Sequence, residues 1–192
     1  MALWHLGVSK TIANVETEMS IEAIGCRMFY DNALKVTLKS FQWPFATIES
    51  ELSLVGEDPN DEWAFSYQYP SDCIDAIQIQ NEMRNQTRQS RIPFEIGKGD
   101  SGRLIFTDLE DAKLKYVSLV DDAEFYPEDF TLALSYKLAE LIAPGVTAGD
   151  PFDIKGKCSK LFMQEISTAK ANAANECQPD DQALSEFERS RS

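Results

Sequence analysis

Phe41-Gln42-Trp43-Pro44-Phe45-Ala46, the stretch FQWPFA, sets three aromatic rings around a single proline. Two readings compete: an aromatic platform for a ligand, or a corner where the chain changes direction and structural type. The flanking patterns favour the corner. Upstream, over residues 19–41, Ile24, Met28, Tyr30, Leu34, Leu38 and Phe41 recur at helical spacing, with Glu22, Arg27, Asp31, Lys35 and Lys39 between them. This is the pattern of one long amphipathic helix. Pro44 biases Trp43 away from helical backbone. Beyond it Ile48, Leu52 and Leu54 alternate with Glu49, Glu51 and Ser53, as along a strand. Trp43, Pro44 and Phe45 therefore read as a structural corner whose rings pack at the junction.

Strand signals continue downstream. An acidic turn, GEDPNDE over 56–62, is followed by alternation at Phe65, Tyr67 and Tyr69, then at Ile77 and Ile79. Further pairs follow at Ile92, Phe94 and Ile96, at Leu104 and Phe106, and at Leu114 and Tyr116. Gly97-Lys98-Gly99-Asp100-Ser101-Gly102 lacks P-loop spacing and precedes no helix, so it reads as a glycine-rich hairpin turn.

Helical signals return at FYPEDFTLALSYKLAELIAP. Pro127 suits a first turn, Glu128 and Asp129 complement the positive end of the helix dipole, and Phe130, Leu134, Leu138 and Leu141 form a stripe that Pro144 and Gly145 close. A further helix is expected with Asp150 as its N-cap and Pro151 in its first position, burying Ile154, Cys158, Leu161, Phe162, Ile166, Ala169 and Ala173. The fold class expected is α+β. Residues 1–45 and 121–175 form a bundle of three main helices, 46–120 form an inserted antiparallel β module, and 176–192 form a flexible tail poor in apolar residues.

A chain of 192 residues buries roughly 70% of its unfolded surface without a metal or disulfide staple. Its composition, 43% hydrophobic and 10% aromatic, is that of a globular protein, but 18 Lys+Arg face 32 Asp+Glu, a net charge of -14. Such a balance favours solubility and opposes nucleic-acid binding unless cations are gathered in one place. Cys26, Cys73, Cys158 and Cys177 are widely spaced and read as reduced, mostly buried thiols. His5 is the one histidine and reads as part of a first helical turn, with no second imidazole to build a metal site. The opening MALWHLGVSK has no basic residue before its short apolar part, so no secretory signal is expected. No membrane span is expected either, and the compartment expected is aqueous and reducing.

Carboxylate pairs such as Asp121 with Glu124 are plentiful, but none is singled out as an acid and base pair. No catalytic residue, metal ligand or cofactor motif is expected. Arg84, Arg88 and Arg91 are the one local excess of positive charge. They suit either phosphate or acidic protein surface, and in so acidic a chain a neighbouring subunit or another protein is the favoured partner.

Taken together, the motifs resemble the head-to-tail adaptor family of short-tailed phages, the tail tubular protein A family. The resemblance rests on Phe29-Tyr30-Asp31, on Trp43-Pro44-Phe45-Ala46, and on Tyr69-Pro70-Ser71-Asp72-Cys73. It continues through Asp111-Ala112-Lys113-Leu114-Lys115-Tyr116, Phe125-Tyr126-Pro127-Glu128-Asp129-Phe130, Ala133-Leu134 and Leu138-Ala139, and spans about residues 18–175. It implies a structural virion protein, made in the host cytoplasm. Such a protein forms a dodecameric ring under the portal, extends the DNA channel, and offers a platform to the tail nozzle and in some phages to fibres. DNA would pass an acidic channel without specific binding. The tail matches no family motif. Its isolated Leu184 and Phe187, with Arg189 and Arg191, are expected to order against the portal protein. Two other classes stay open: a virion-associated peptidoglycan hydrolase, and an acidic cytosolic binding domain.

Overall fold

The computed structural model describes residues 1–57, 59–80, 91–99 and 102–176. The fold is α+β. A short helix α1 (Ala2–His5) precedes the long helix α2 (Ile21–Ser40). Among the described residues seven strands follow: β1 (Thr47–Glu51), β2 (Leu54–Glu57), β3 (Phe65–Gln68), β4 (Cys73–Gln80), β5 (Glu95–Gly99), β6 (Gly102–Thr107) and β7 (Lys113–Ser118). Helices α3 (Glu128–Val146) and α4 (Ile154–Glu176) complete the described chain.

Helix α2 starts where Ser20 takes extended backbone and its hydroxyl accepts from the Ala23 amide, an N-cap that satisfies an otherwise orphaned donor. It ends at Phe41, and a single 3-10 turn over Pro44–Ala46 leads into β1. Trp43 is 1% exposed, and its indole N–H donates to the Thr37 carbonyl at 2.9 Å. Its ring stands edge-on to Phe130 at 5.0 Å, and Phe45 meets the same ring at 4.9 Å. The corner is therefore fixed from both sides, by a hydrogen bond back to α2 and by aromatic contact with α3.

The strands form two antiparallel sheets, a three-stranded sheet in the order β1-β7-β4 and a four-stranded sheet in the order β2-β3-β6-β5. The three-stranded sheet is the middle layer. Val117 and the half-buried Ile74 and Ile77 face the helices, whereas Cys73, Ile79, Leu114 and Tyr116 face the other sheet with Tyr67 and Ile105. The bundle core gathers Leu34, Leu38, Trp43, Phe130, Leu138, Ile142, Phe162 and Ile166 around α3, which packs against both α2 and α4. The buried hydroxyls of Thr37, Ser66, Thr107, Ser118 and Ser135 donate to the carbonyls of Ala33, Gly56, Pro93, Ala46 and Leu132. Each thereby meets the requirement that a buried polar group find a partner.

Several local expectations are corrected. The alternation from Ile48 to Leu54 is not one strand: β1 pairs with β7 and β2 pairs with β3, in different sheets. At the break the Leu52 amide donates to Ala112 and the Ser53 carbonyl accepts from Gln68, so the chain passes from one ladder to the other. The strand expected from Ile92 begins only at Glu95, Ile92 making an isolated bridge to Ile79. Of the hairpin expected through 97–102, the pairing of β5 with β6 is present up to Gly99 opposite Gly102, whose φ of 131° suits glycine alone, and residues 100–101 lie outside the described residues.

On α2 the buried face runs through Ala23, Ala33, Leu34, Thr37 and Leu38, while Ile24 and Met28 face outward. Pro144 does not stop α3, which continues to Val146; proline in a last turn loses only one bond near an end already short of partners. Pro151 and Phe152 form a turn before α4 rather than its first residues. Asp150 still caps the helix, because its carboxylate accepts from the Ile154 and Lys155 amides at 2.7 and 2.9 Å. Of the expected α4 stripe, Cys158, Phe162, Ile166 and Ala169 are buried, but Leu161 turns outward. The tail over 177–192 lies outside the described residues.

Candidate functional site

Among the described residues, those singled out in the sequence do not converge. Trp43, Pro44 and Phe45 line a cleft of about 300 Å³ against Pro127, Asp129 and Ala173, but Trp43 itself is spent on packing. Arg91 is exposed beside the Ile79–Ile92 bridge. Arg84 and Arg88, like Leu184, Phe187, Arg189 and Arg191, fall outside the described residues. Cys26, Cys73 and Cys158 are free thiols, as expected, and Cys177 falls outside. Among the described residues no three His, Cys, Asp or Glu side chains gather as a metal site requires, and no helix is long and apolar enough to cross a membrane.

What the fold does assemble is a polar seam around the turn over 69–73. Tyr69 closes β3, and its amide donates to the Arg103 carbonyl at 3.2 Å. The Arg103 guanidinium lies 4.0 Å above the centre of the Tyr69 ring, a cation–π contact that fixes the charge in place. From below, the Cys73 thiol donates to the Tyr69 hydroxyl at 3.1 Å. Burial, reinforced by that thiol, pushes Tyr69 up to about 12, and burial also raises Cys73, so both keep their protons at neutral pH. Cys73 is a packing group rather than a nucleophile.

Asp72 anchors the other side of the turn by accepting from the Tyr116 hydroxyl at 3.1 Å, and Tyr116 is likewise pushed up to about 12 by burial and then by this bond. Beside the turn, Lys35, Val36 and Lys39 of α2 join Ser71, Cys73, Ile74, Arg103 and Leu119 around a cleft of about 390 Å³. Lys39 reaches Asp75 at 3.9 Å, both groups exposed. Lys35 and Arg103 make no ion pair among the described residues. The cation cluster of Lys35, Lys39 and Arg103 was missed in the sequence because its members come from α2 and β6. The faint signal was Lys35 and Lys39 at i and i+4, which share a helix face.

The second surface feature is apolar. Ile21, Ile24 and Met28 project from α2, Met28 being 67% exposed. Leu161 and Met163 project from α4, with Phe152 before it, the last 74% exposed. Ile21, Ile24 and Met28 share one face of α2, whereas Leu161 and Met163, two residues apart, point to different sides of α4; both helices pack against α3. No protein-family model matches the sequence, and no curated protein matches it.

Proposed function

We propose that this protein is a structural virion component: a head-to-tail adaptor that assembles as a ring under the portal of a short-tailed phage. The ring extends the DNA channel and gives the tail nozzle its platform. The observation that carries this reading is the set of large apolar side chains left exposed on two different helices, Ile21, Ile24 and Met28 on α2 and Leu161 and Met163 on α4. A closed ring is a head-to-tail assembly, in which each copy presents two different patches, one to each neighbour. A single self-complementary patch would give a twofold dimer instead. Large apolar groups left exposed on helices suit contact surfaces better than catalysis.

Two further features support the same reading. The motif residues of the family resemblance hold the joints of the fold: Trp43 and Phe45 at the corner, Tyr69 to Cys73 at the turn, and Tyr126 and Phe130 at the entry to α3. The net charge of -14 suits a lining that passes DNA without holding it.

The test is a light-scattering mass for the protein alone and after mixing with purified portal rings of the same phage. A ring of many copies on the portal is the expected result. Protein that ignores the portal at micromolar concentration overturns the proposal.

A further inference from the structure

The four-stranded sheet carries opposite charge at its two ends. Strand register places Glu57, Phe65 and Thr107 side by side at one end. There the exposed Glu57, Asp61 and Glu62 lie next to the exposed Asp108, Glu110 and Asp111 of the turn that follows β6. This acidic end is ordered: the Asn60 side chain accepts from the amides of Glu62 and Trp63 at 3.0 and 2.8 Å, and Asp108 accepts from the Ala64 amide at 3.0 Å. At the other end Arg103 faces Lys98 directly across the β5–β6 pair, and Lys35 and Lys39 stand opposite across the cleft. Two like charges directly opposed on neighbouring strands destabilise a sheet. Among the described residues, the carboxylates near this cluster are engaged, Asp72 with Tyr116 and Asp75 with Lys39.

From Arg103 to Asp108 the strand spans roughly 16 Å at about 3.3 Å per residue. The acidic end of one molecule therefore cannot fill its own cationic cleft. We infer that the cleft formed by Lys35, Lys39 and Arg103 receives the acidic turn of a second copy of this chain, Asp61 and Glu62 leading. Arg103, already held over the Tyr69 ring, can make a two-pronged carboxylate contact, and the lysines supply the remaining charge. Complementary surfaces at opposite ends of one strand make a head-to-tail joint. This rests on the ring reading and names its charged contact, which fixes polarity and register where the exposed apolar groups supply affinity.

The test uses portal-bound assemblies of full-length protein, with circular dichroism melts to confirm that each variant folds. Reversing the cleft in K35E/K39E/R103E is expected to lower ring occupancy at least ~10-fold at low salt, and reversing the turn in E57K/D61K/E62K to do the same. Combining both reversals in one chain restores occupancy to within ~3-fold, since each copy again meets its complement. The K35E/K39E variant leaves the Arg103–Tyr69 stack intact and keeps the test valid if the triple variant unfolds. In a mixed assembly of ¹⁴N and ¹⁵N protein, carbodiimide is expected to join Lys35 or Lys39 of one isotope to Asp61 or Glu62 of the other. A wild-type ring whose occupancy ignores the cleft reversals, or whose combined variant does no better than either alone, overturns this inference and leaves the ring reading standing. A wild-type protein that forms no ring on the portal removes both.

Discussion

The helical bundle and the β module solve the burial problem with different chemistry. Around α3 the core is almost wholly hydrocarbon, and Ala33, Ala133, Ala139, Ala143 and Ala169 let the helices come close. Gly25 of α2 lies so near α3 that a methyl group there would sit 3.6 Å from Ile142. Between the two sheets the core is smaller and holds Tyr67 and Tyr116, whose hydroxyls reach the Leu109 carbonyl and the Asp72 carboxylate. The bundle is thus held by packing density, and the module by packing together with directed hydrogen bonds that bind its turns. The difference teaches where each can vary. Helices bound by hydrocarbon leave their outer faces free for contact surfaces, and a sheet core that anchors its own turns can display charge at its ends.

The joint between the two regions is where the comparison breaks most readily. Trp43→Ala removes an indole that touches α2, α3 and the entry to β1, and should cost about 3–5 kcal/mol of stability in urea unfolding. A cost below about 1 kcal/mol would mean that the corner is not a joint. Leu114→Ala, in the sheet core, should cost about 2–4 kcal/mol. Hydrogen exchange then shows whether its effect stays in the strands or spreads to α3, and spreading would merge the two regions into one cooperative unit.

Asp150→Ala should cost about 1 kcal/mol by removing the carboxylate that caps α4, with exchange accelerating first in that helix's opening turn. A smaller and pH-dependent effect is expected at α1. Its His5 Nε2 lies 2.9 Å from the Ser135 hydroxyl, whose own proton goes to the Leu132 carbonyl, so the imidazole must donate there. Burial, and then the charge of the N-terminus, lower the His5 pKa. The folded state therefore prefers neutral imidazole: this contribution is complete above the ordinary value near 6.5 and is lost as pH falls below it. Protection factors in α1, corrected for the intrinsic pH dependence of exchange, should fall between about pH 6.5 and 5 while those of the β strands stay unchanged. Equal α1 protection factors at both pH values would show that the histidine contact does not hold it. Smallest for the isolated protein, Met28→Glu and Met163→Glu should alter stability by no more than about 0.5 kcal/mol, because both side chains are exposed. The same changes should prevent ring formation on the portal. A normal ring with both substitutions would remove these apolar groups from the interface.

Much of this architecture could be read from the chain. The helical period before Trp43, the proline after it and the alternation beyond it sufficed to place a helix, a corner and a strand, since local sterics and side-chain period act within a few residues. The hairpin at 97–102 and the burial of Cys158, Phe162, Ile166 and Ala169 were legible for the same reason. The face of α2 was not. Ile24 and Met28 belong to the apolar pattern by spacing, yet the helix buries Ala23 and Ala33 instead, small residues that a hydrophobic count undervalues. The division of the run from Ile48 to Leu54 between two sheets was also hidden, because pairing is settled by partner strands such as β3 and β7, far along the chain.

The sequence by itself determined the element types, their order, the aromatic corner and the acidic balance, all of which follow from local backbone preference and composition. Only the tertiary structure decided which apolar side chains remain outside, which turn the Tyr69–Cys73 hydrogen bond secures, and that Lys35, Lys39 and Arg103 share one cleft while the acidic turn lies at the opposite end of the four-stranded sheet. Those facts depend on contacts between elements distant in the chain, and no periodicity within one element encodes them.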